Sequence, residues 1–118
     1  RKKELSAIKD LIATYQASAY KSLGIVCKTE SQACEMADKL QIPDIHFLSN
    51  QSSAFVQGFV ITSAHMAKGL EFDEVIIPQT DDRNYHSEID RSMLYVAVTR
   101  AMHRLTLTYS GTKHTPFI

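Results

Sequence analysis

The chain of 118 residues has the length of one compact domain, and its 44% hydrophobic content is ordinary for a globular protein with a buried core. Thirteen Lys and Arg balance thirteen Asp and Glu, which excludes the strong positive field of a dedicated nucleic-acid coat protein. Because affinity for a polyanion grows with the number of phosphates neutralised, a neutral domain of this size should bind DNA weakly when alone. We expect any nucleic-acid contact to be local and shared with another domain.

Cysteine usage and hydropathy indicate a cytoplasmic protein with no membrane partner. Cys27 and Cys34 form neither a Cys-x-x-Cys pair nor the dense pattern of a secreted disulfide scaffold. No apolar run approaches the roughly 20 residues that cross a bilayer, and the opening Arg-Lys-Lys-Glu leads into no signal-peptide core. The chain also begins at Arg1 without an initiator Met, so we expect it to be a piece of a longer protein.

The first half of the chain predicts helices and strands in alternation. Apolar residues recur at helical spacing before residue 20, whereas Ile25-Val26-Cys27 is a short run typical of a buried strand. Thr29 followed by Gln32 matches a capping box, in which both side chains satisfy amide groups at a helix start. The predicted elements are helix 2–20, strand 25–27, a helix after Thr29 with the buried stripe Ala33, Met36, Ala37 and Leu40, and, beyond the helix-breaking Pro43, strand 45–48.

The second half continues the alternation and predicts an α/β fold. Acidic Glu88 and Asp90 occupy the first turn of a predicted helix, and the last strand alternates apolar and polar residues as strands near a sheet edge do. The predicted elements are strand 58–62, strand 75–77, helix 87–103 with the apolar positions Ile89, Met93, Val96 and Ala97, and strand 105–109. Strands that alternate with helices indicate a layered domain with a mostly parallel sheet.

The first candidate site is a cluster of chemically capable residues placed directly after a predicted strand, where ligands gather in such sheets. Lys68 and His65 can donate to phosphates, Gly69 lets the backbone approach closely, and Glu71 can accept from sugar hydroxyls. Ser63 completes the cluster within nine residues. The alternative interpretation is a solvated turn with a cap.

The second candidate is Arg100, which follows Thr99 at the end of the predicted helix 87–103. An Arg aimed at a transferred phosphoryl group stabilises the spreading negative charge, an effect worth about 10³–10⁵ in rate. The alternative is that Arg100 compensates the helix dipole or forms an ordinary ion pair.

The sequence lacks a phosphate-binding loop of its own. The four glycines, at positions 24, 58, 69 and 111, do not form Gly-x-x-x-x-Gly-Lys-Ser/Thr. Asp73 and Glu74 precede their apolar run, whereas a Mg²⁺-binding acid should follow it, so we assign them no metal role. The histidines share no metal-ligand spacing, and no metal site is expected. Nucleotide hydrolysis by this chain alone is therefore not expected.

Two stretches together resemble one protein family. Thr62 to Asp73, which contains His65-Met66-Ala67-Lys68-Gly69-Leu70-Glu71-Phe72, looks like motif V of UvrD/Rep-type superfamily 1 DNA helicases, and Leu94 to Ala101 looks like their motif VI. The resemblance extends over residues 24–109. It implies a three-layer RecA-like, P-loop NTPase-like core over residues 24–110. The amphipathic pattern adds a leading helix over 1–21, which the resemblance covers poorly, and we expect residues 1–118 to form a single domain.

The resemblance also implies a role for each site residue. Glu71 is expected to touch the ribose of ATP, with Gly69 in the same loop, and the catalytic Arg100 its γ-phosphate. Ser63 and His65 are expected to face single-stranded DNA, with Lys68 supporting them. Ser63 stands where the family usually has Thr. The implied cofactors are ATP and Mg²⁺, the metal being held mainly by an N-terminal RecA-like domain of the same polypeptide.

Two departures from the family pattern refine this hypothesis. No Tyr-Arg pair is present to stack on adenine, and only the loop over 49–57 stands where larger members insert a domain, which resembles the compact HelD-like and other short-insert branches. The leading hypothesis is the C-terminal motor half of an ATP-dependent DNA helicase or translocase, inactive when isolated. One alternative is a helicase-like binding module that acts on a nucleic-acid machine such as RNA polymerase. Another alternative is a metal-dependent nuclease that uses Asp81 and Asp82, although a solvated loop is the simpler interpretation of these two residues.

Overall fold

A computed structural model describes residues 2–41, 46–48, 59–67, 71–81, 84–109 and 115. The elements are, in chain order, α1 (Lys2–Gln16), β1 (Leu23–Cys27), α2 (Glu30–Leu40), β2 (His46–Leu48), β3 (Phe59–Ser63), β4 (Phe72–Ile77), α3 (Glu88–Val98) and β5 (Ala101–Leu107). The alternation that the sequence predicts is therefore present. Several boundaries differ, and two of these differences change the site.

The five strands form one sheet in the order β2-β3-β1-β4-β5, and all four neighbouring pairs are parallel. Strands that run parallel need crossover connections. α2 connects β1 with β2, which lies on the far side of β3, and α3 connects the neighbours β4 and β5. The predicted α/β fold with a mostly parallel sheet is confirmed. Because all strands run the same way, the sheet has a carboxyl end, where the strands finish, and an amino end, where they begin.

The helices cover both faces of the sheet and make three layers. β1 and β3 are buried along their whole length, as central parallel strands covered on both sides should be. One apolar cluster joins α1 and α2 to the sheet, and includes Ile8, Ile12, Tyr15, Leu23, Ile25, Ala33, Met36, Leu40, Phe59, Ile61 and Ile76. The cluster on the opposite face joins α3 to the sheet, and includes Val26, Val60, Ala64, Ala67, Phe72, Val75, Ile77, Leu94 and Ala97.

The first helix is attached to the sheet by a charged residue as well as by its apolar stripe. The Glu4 carboxylate accepts hydrogen bonds from the Gln79 amide at 2.7 Å and the Thr108 hydroxyl at 2.8 Å, both beyond the carboxyl ends of their strands. The helix ends at Gln16 rather than near residue 20, because the Ser18 hydroxyl and amide both donate to the Tyr15 carbonyl. The assignment of residues 1–118 to one domain, with a leading helix over 1–21 and a core over 24–110, stays a prediction.

The third helix differs from its prediction in length and in its buried face. It ends at Val98 instead of residue 103, since the chain after Arg100 pairs with β4 and extends β5 back to Ala101. Ile89, predicted in the core, is 73% exposed, and Asp90 is buried in its place. Hydrogen bonds from the start of the helix turn Asp90 inward, and apolar spacing alone does not encode them.

Two further boundaries depart from the sequence pattern. Thr29 caps α2 by accepting from the Gln32 amide, but the Gln32 side chain does not complete the predicted capping box and binds Asn84 instead. β4 begins at Phe72 rather than Val75, which brings Glu74 inside the strand. Pro43, Ile45 and Gly58 lie outside the described residues.

The structure describes the state of both cysteines and the length and polarity of the helices. Cys27 is buried on β1, as predicted for a core residue, and burial raises the pKa of its thiol to about 12. Cys34 is exposed, and neither cysteine forms a disulfide. Within the described ranges, every helix is too short or too polar to cross a bilayer.

Candidate functional site

The candidate residues lie at opposite ends of the sheet. Phe59 and Glu74 are both level with Leu23, so Ser63 lies four residues beyond that level, and Glu71 three residues before it. Seven residue steps correspond to roughly 23 Å along the strands. The single cluster expected from the sequence is therefore divided, because a chain that leaves one parallel strand must return along the sheet before it can enter the next.

Two members of the expected cluster, Lys68 and Gly69, lie outside the described residues. The structure tests neither the DNA-supporting role predicted for Lys68 nor the nucleotide contact predicted for Gly69. Both stay predictions.

A tight turn follows β3 at the carboxyl end of the sheet. The Ala64 amide donates to the Cys27 carbonyl at 2.8 Å, which ties the turn to β1, and the Ala67 amide donates to the Ser63 carbonyl at 3.0 Å. Ala64 and Ala67 pack into the cluster beneath α3. Their small side chains allow the returning segment to lie close against the sheet.

Ser63 and His65 differ in their access to a ligand. Ser63 is only 5% exposed, and its hydroxyl accepts a hydrogen bond from the Met66 amide at 3.4 Å. His65 is exposed on the turn. His65 is thus open to an external partner in this arrangement, whereas Ser63 mainly shapes the turn that presents it.

Glu71 and Arg100 meet at the amino end of the sheet. The Phe72 amide donates to the Arg100 carbonyl at 2.9 Å, which places Glu71 and Arg100 at the starts of adjacent strands. Glu71 is exposed and Arg100 half-buried. The pairing of β4 with β5 places the backbones of Glu71 and Arg100, 29 positions apart in sequence, side by side.

Arg100 lies in a two-residue turn between α3 and β5, and not on a helix as predicted. The Arg100 amide donates to the Ala97 carbonyl at 3.1 Å, and its Nη2 donates to the Thr99 hydroxyl oxygen at 3.2 Å. The same hydroxyl donates to the Val96 carbonyl at 2.9 Å. The end of α3 therefore holds both the backbone and the side chain of Arg100.

A buried ion pair at the carboxyl end was not expected from the sequence. Lys28 Nζ lies 2.8 Å from Asp90 Oδ1, while Oδ2 accepts the His86 and Ser87 amides at 3.1 and 3.2 Å. Burial works against the charged form of Asp90, but Lys28, these amides and the Ser87 hydroxyl outweigh it and hold the pKa well below its ordinary value. Ser87 and Asp90 also form a complete capping box for α3.

Two amide side chains extend this arrangement. Gln32 and Asn84 exchange hydrogen bonds of 2.8 and 3.2 Å, and Lys28 also donates to the Asn84 carbonyl at 2.7 Å. We name Lys28, Gln32, Asn84 and Asp90 the loop network, because it fixes the loop between β4 and α3. Asp81 accepts the Asn84 amide at 2.9 Å and so takes part in the same loop, while Asp82 lies outside the described residues.

The amino end also contains a buried carboxylate that the sequence analysis set aside. Glu74 has no exposed surface, and among the described residues neither of its oxygens accepts a hydrogen bond. Its charged partner is Arg104, whose Nη1 lies 3.6 Å from Oε1. Burial raises the pKa of Glu74, and Arg104 partly opposes this. In the sequence, this pair is visible only as an acidic and a basic residue on either side of the third helix. The two become partners because β4 and β5 pair in the sheet.

Similarity to known proteins points to the same family as the two motifs. Residues 58–108 match the model of the UvrD-like helicase C-terminal domain. DNA helicase II of Escherichia coli is 34% identical over an alignment covering 53% of this chain and 10% of that protein. The Gabija protein GajB of Bacillus cereus is 41% identical over 49% of this chain and 12% of its own length. The chain thus spans about a tenth of the curated relatives that it matches.

Solved structures extend the similarity to nearly the whole chain. The C-terminal domain of a possible DNA helicase from Lactobacillus plantarum superposes with a TM-score of 0.81 at 27% identity, covering 97% of this chain and 70% of that one. The C-terminal domain of the DEAD-box protein Dbp5 shares the fold, with a TM-score of 0.62 at 12% identity over 96% of this chain and 72% of that one. These similarities support the assignment of the chain to the UvrD-like helicase C-terminal domains, and its fold matches the RecA-like fold of helicase C-terminal domains.

Proposed function

We propose that this domain is the C-terminal half of an ATP-dependent DNA translocase or helicase motor, completing a nucleotide site whose phosphate loop an N-terminal RecA-like domain supplies. The observation that supports this most strongly is the pairing of Glu71 with Arg100 at the amino end of the sheet, joined through the Phe72 amide and the Arg100 carbonyl. His65 is presented at the other end, on the turn that begins at Ser63, which lies roughly 23 Å from Glu71 along the strands. Such a separation suits a motor in which nucleotide and DNA bind at different places on one rigid sheet.

The residue types at the amino end fit a nucleoside triphosphate. A guanidinium held at the end of a helix can neutralise charge on a phosphoryl group, and an exposed carboxylate can accept from ribose hydroxyls. Arg100 would contact the γ-phosphate and Glu71 the ribose, with Gly69 nearby. When bound, ATP with Mg²⁺ would supply the phosphoryl group that is transferred to water. We assign the metal mainly to the N-terminal domain, as the resemblance to the helicase family implies.

The carboxyl end is proposed as the contact for single-stranded DNA. His65 is exposed there and can donate to a phosphate or lie against a base, and Ser63 holds the turn that carries it. Lys68 is proposed to add a phosphate contact. Because the charges of the chain balance, these few contacts should bind DNA only together with the N-terminal domain.

Replacement of Arg100 by Ala in the full-length polypeptide tests the nucleotide assignment. We expect the DNA-stimulated rate of ATP hydrolysis to fall about 10³-fold or more, because the transferred phosphoryl group loses its cation, while most ATP binding is retained. Arg91→Ala is the matched control: Arg91 is an exposed residue of α3 whose ion pair with Glu88 is 4.0 Å long. Unchanged turnover in Arg100→Ala would favour the helicase-like module acting on a machine such as RNA polymerase.

The sequence of the polypeptide N-terminal to this domain provides a second test. It should contain Gly-x-x-x-x-Gly-Lys-Ser/Thr and a strand that ends in Asp-Glu, and their absence would refute the motor assignment. The short connection over residues 49–58 supports placing the protein in the compact HelD-like or short-insert branch. We further propose a cytoplasmic location, on the grounds of the free cysteines.

A further inference from the structure

The pairing of β4 with β5 contains an irregularity directly beside the proposed nucleotide site. Phe72 pairs with Ala101, but Glu74 pairs with Arg104, so Met102 and His103 together lie opposite Asp73 alone. This is a β-bulge, a feature that is rare between parallel strands and that redirects the chain beside functional sites. Phe72 and Ala101 immediately precede this bulge on the two strands, and Glu71 and Arg100 precede those two residues in the chain.

The position of the bulge determines where the side chain of Arg100 points. Beyond the bulge, Val75 pairs with Leu105 and Ile77 with Leu107, so the apolar core holds that part of the register. Loss of the extra residue opposite Asp73 would therefore move Ala101 and Arg100 by one position along β4. A shift of one residue turns every side chain to the other face of the sheet.

Four side chains surround the bulge and restrict it to one place. Arg104, the first residue after it, pairs with the buried Glu74 at 3.6 Å, and its guanidinium carbon lies 5.1 Å from the centre of the Tyr20 ring. His103, within the bulge, stacks on the same ring with centroids 5.6 Å apart and planes inclined by 3°. We name Glu74, Arg104, Tyr20 and His103 the bulge clamp. Asp73 on the other side is held by the Lys21 amide at 2.8 Å.

The stability of the fold does not account for a carboxylate at position 74. A buried carboxylate that accepts no hydrogen bond from the described residues, and whose partner Arg104 is 41% exposed, contributes little net stability, and an apolar pair would do as well. What the charged pair does supply is register, because Arg104 is the cation that faces Glu74 among the described residues, and it does so only when two residues bulge before it. Resting on the proposed function, we infer that Glu74 and Arg104 are positioning residues that lock the bulge and thereby aim Arg100 at the phosphate.

The test uses ATP hydrolysis by the full-length polypeptide, with kcat and KM measured separately. Arg104→Met is expected to lower kcat about 10-fold to 100-fold while KM changes less than about threefold, since a small displacement of a catalytic group affects the transition state more than ground-state binding. Arg104→Lys, which keeps the charge opposite Glu74, should recover most of the loss. Arg91→Met, which removes an exposed Arg of α3, should leave both constants unchanged.

Two more variants separate positioning from folding. The double variant Glu74→Met with Arg104→Met removes both charges. Its unfolding midpoint should be no lower than that of the unaltered protein, and its kcat should still be reduced. Deletion of Met102, an exposed residue of the bulge, should reproduce the same loss by abolishing the extra residue. Wild-type kcat in the double variant would overturn the inference, whether or not Arg104→Met folds.

The inference and the proposed function can fail separately. If Arg100→Ala lowers kcat but the double variant does not, Arg100 acts as proposed and its aim does not depend on the clamp. If Arg100→Ala itself has no effect, the motor assignment fails, and the inference with it.

Discussion

The two ends of the sheet treat buried charge in opposite ways. At the carboxyl end, Asp90 has a Lys28 ammonium at 2.8 Å and two backbone amides on its other oxygen. At the amino end, Glu74 is equally buried but has only Arg104 at 3.6 Å, and the described residues donate no hydrogen bond to it. The pKa of Asp90 is accordingly lowered, and that of Glu74 raised.

The difference teaches which groups stabilise the fold and which serve a site. A fully paired carboxylate favours the folded state, so the loop network fixes the loop that starts α3. A carboxylate with one distant partner stabilises little, so its presence beside Glu71 and Arg100 indicates a demand for geometry. Four predictions test this contrast on the unfolding of the 118-residue chain, in order of decreasing effect.

Asp90→Ala should be the most damaging change at the carboxyl end. It leaves Lys28 without its charged partner, frees the His86 and Ser87 amides, and removes the Asp90 half of the capping box of α3, for a loss of about 3 kcal/mol in the free energy of unfolding. Urea denaturation measures it. Glu88→Ala, in the same turn but exposed and 4.0 Å from Arg91, should cost less than about 0.5 kcal/mol. Equal losses in the two variants would contradict the assigned role of the network.

Gly24→Ala should disturb the amino end through its packing. A Cβ at this position would lie 2.5 Å from Cδ2 of the buried Phe72, so the ring at the start of β4 must move, at a cost of about 2 kcal/mol. Phe72→Leu makes room there. The double variant should therefore be more stable than the sum of the two single losses predicts, and additive losses would show that the two residues do not interact.

Gln32→Met should have a smaller effect, of about 1 kcal/mol, because it breaks the amide pair with Asn84 while Asn84 keeps its bond to the Gln79 carbonyl. Gln16→Met, an exposed change of the same chemistry at the end of α1, serves as the control. Thermal unfolding of the two variants side by side gives the comparison. A larger loss in Gln16→Met would place the stability outside the loop network.

The pH dependence of stability should separate Glu74 from Asp90, although the change is the smallest of the four. Because the folded pKa of Glu74 is raised, the folded chain retains a proton that the unfolded chain releases above about 4.3, and stability falls as the pH rises through the folded pKa. Asp90 behaves in the opposite sense: its contribution is complete above about 3.9 and is lost as the pH falls through its lowered pKa.

Glu74→Gln should abolish the first of these slopes and leave the second. Urea midpoints recorded at a series of pH values that spans both regimes, from below about 3.9 to above about 4.3, measure both slopes. An unaltered slope above about 4.3 in Glu74→Gln would mean that Glu74 is not the group responsible.

Local patterns predicted much of the fold and part of the site. Apolar spacing located the helices at 2–16, 30–40 and 88–98 to within a few residues, except that the last was extended over Arg100. The run of helices and strands predicted the parallel sheet, which is confirmed. Residues 63, 65, 71 and 100 were singled out from their chemistry and position, and the motif resemblance supplied their roles. Their assignment to DNA and nucleotide stays a prediction, as does that of Lys68 and Gly69.

What the sequence determined by itself was the set of elements and the family, because periodicity and a contiguous motif are properties of neighbouring residues. The motif resemblance grouped Glu71 with Arg100 by role. The tertiary structure alone decided that the two lie at the starts of adjacent strands and at the opposite end from Ser63 and His65, because strand order and register bring together residues far apart in the chain. It also decided that Glu74 is buried and pairs with Arg104 directly after a bulge. An apolar pattern does not report a charge whose partner lies thirty positions away, since the pairing exists only once both strands have entered the sheet.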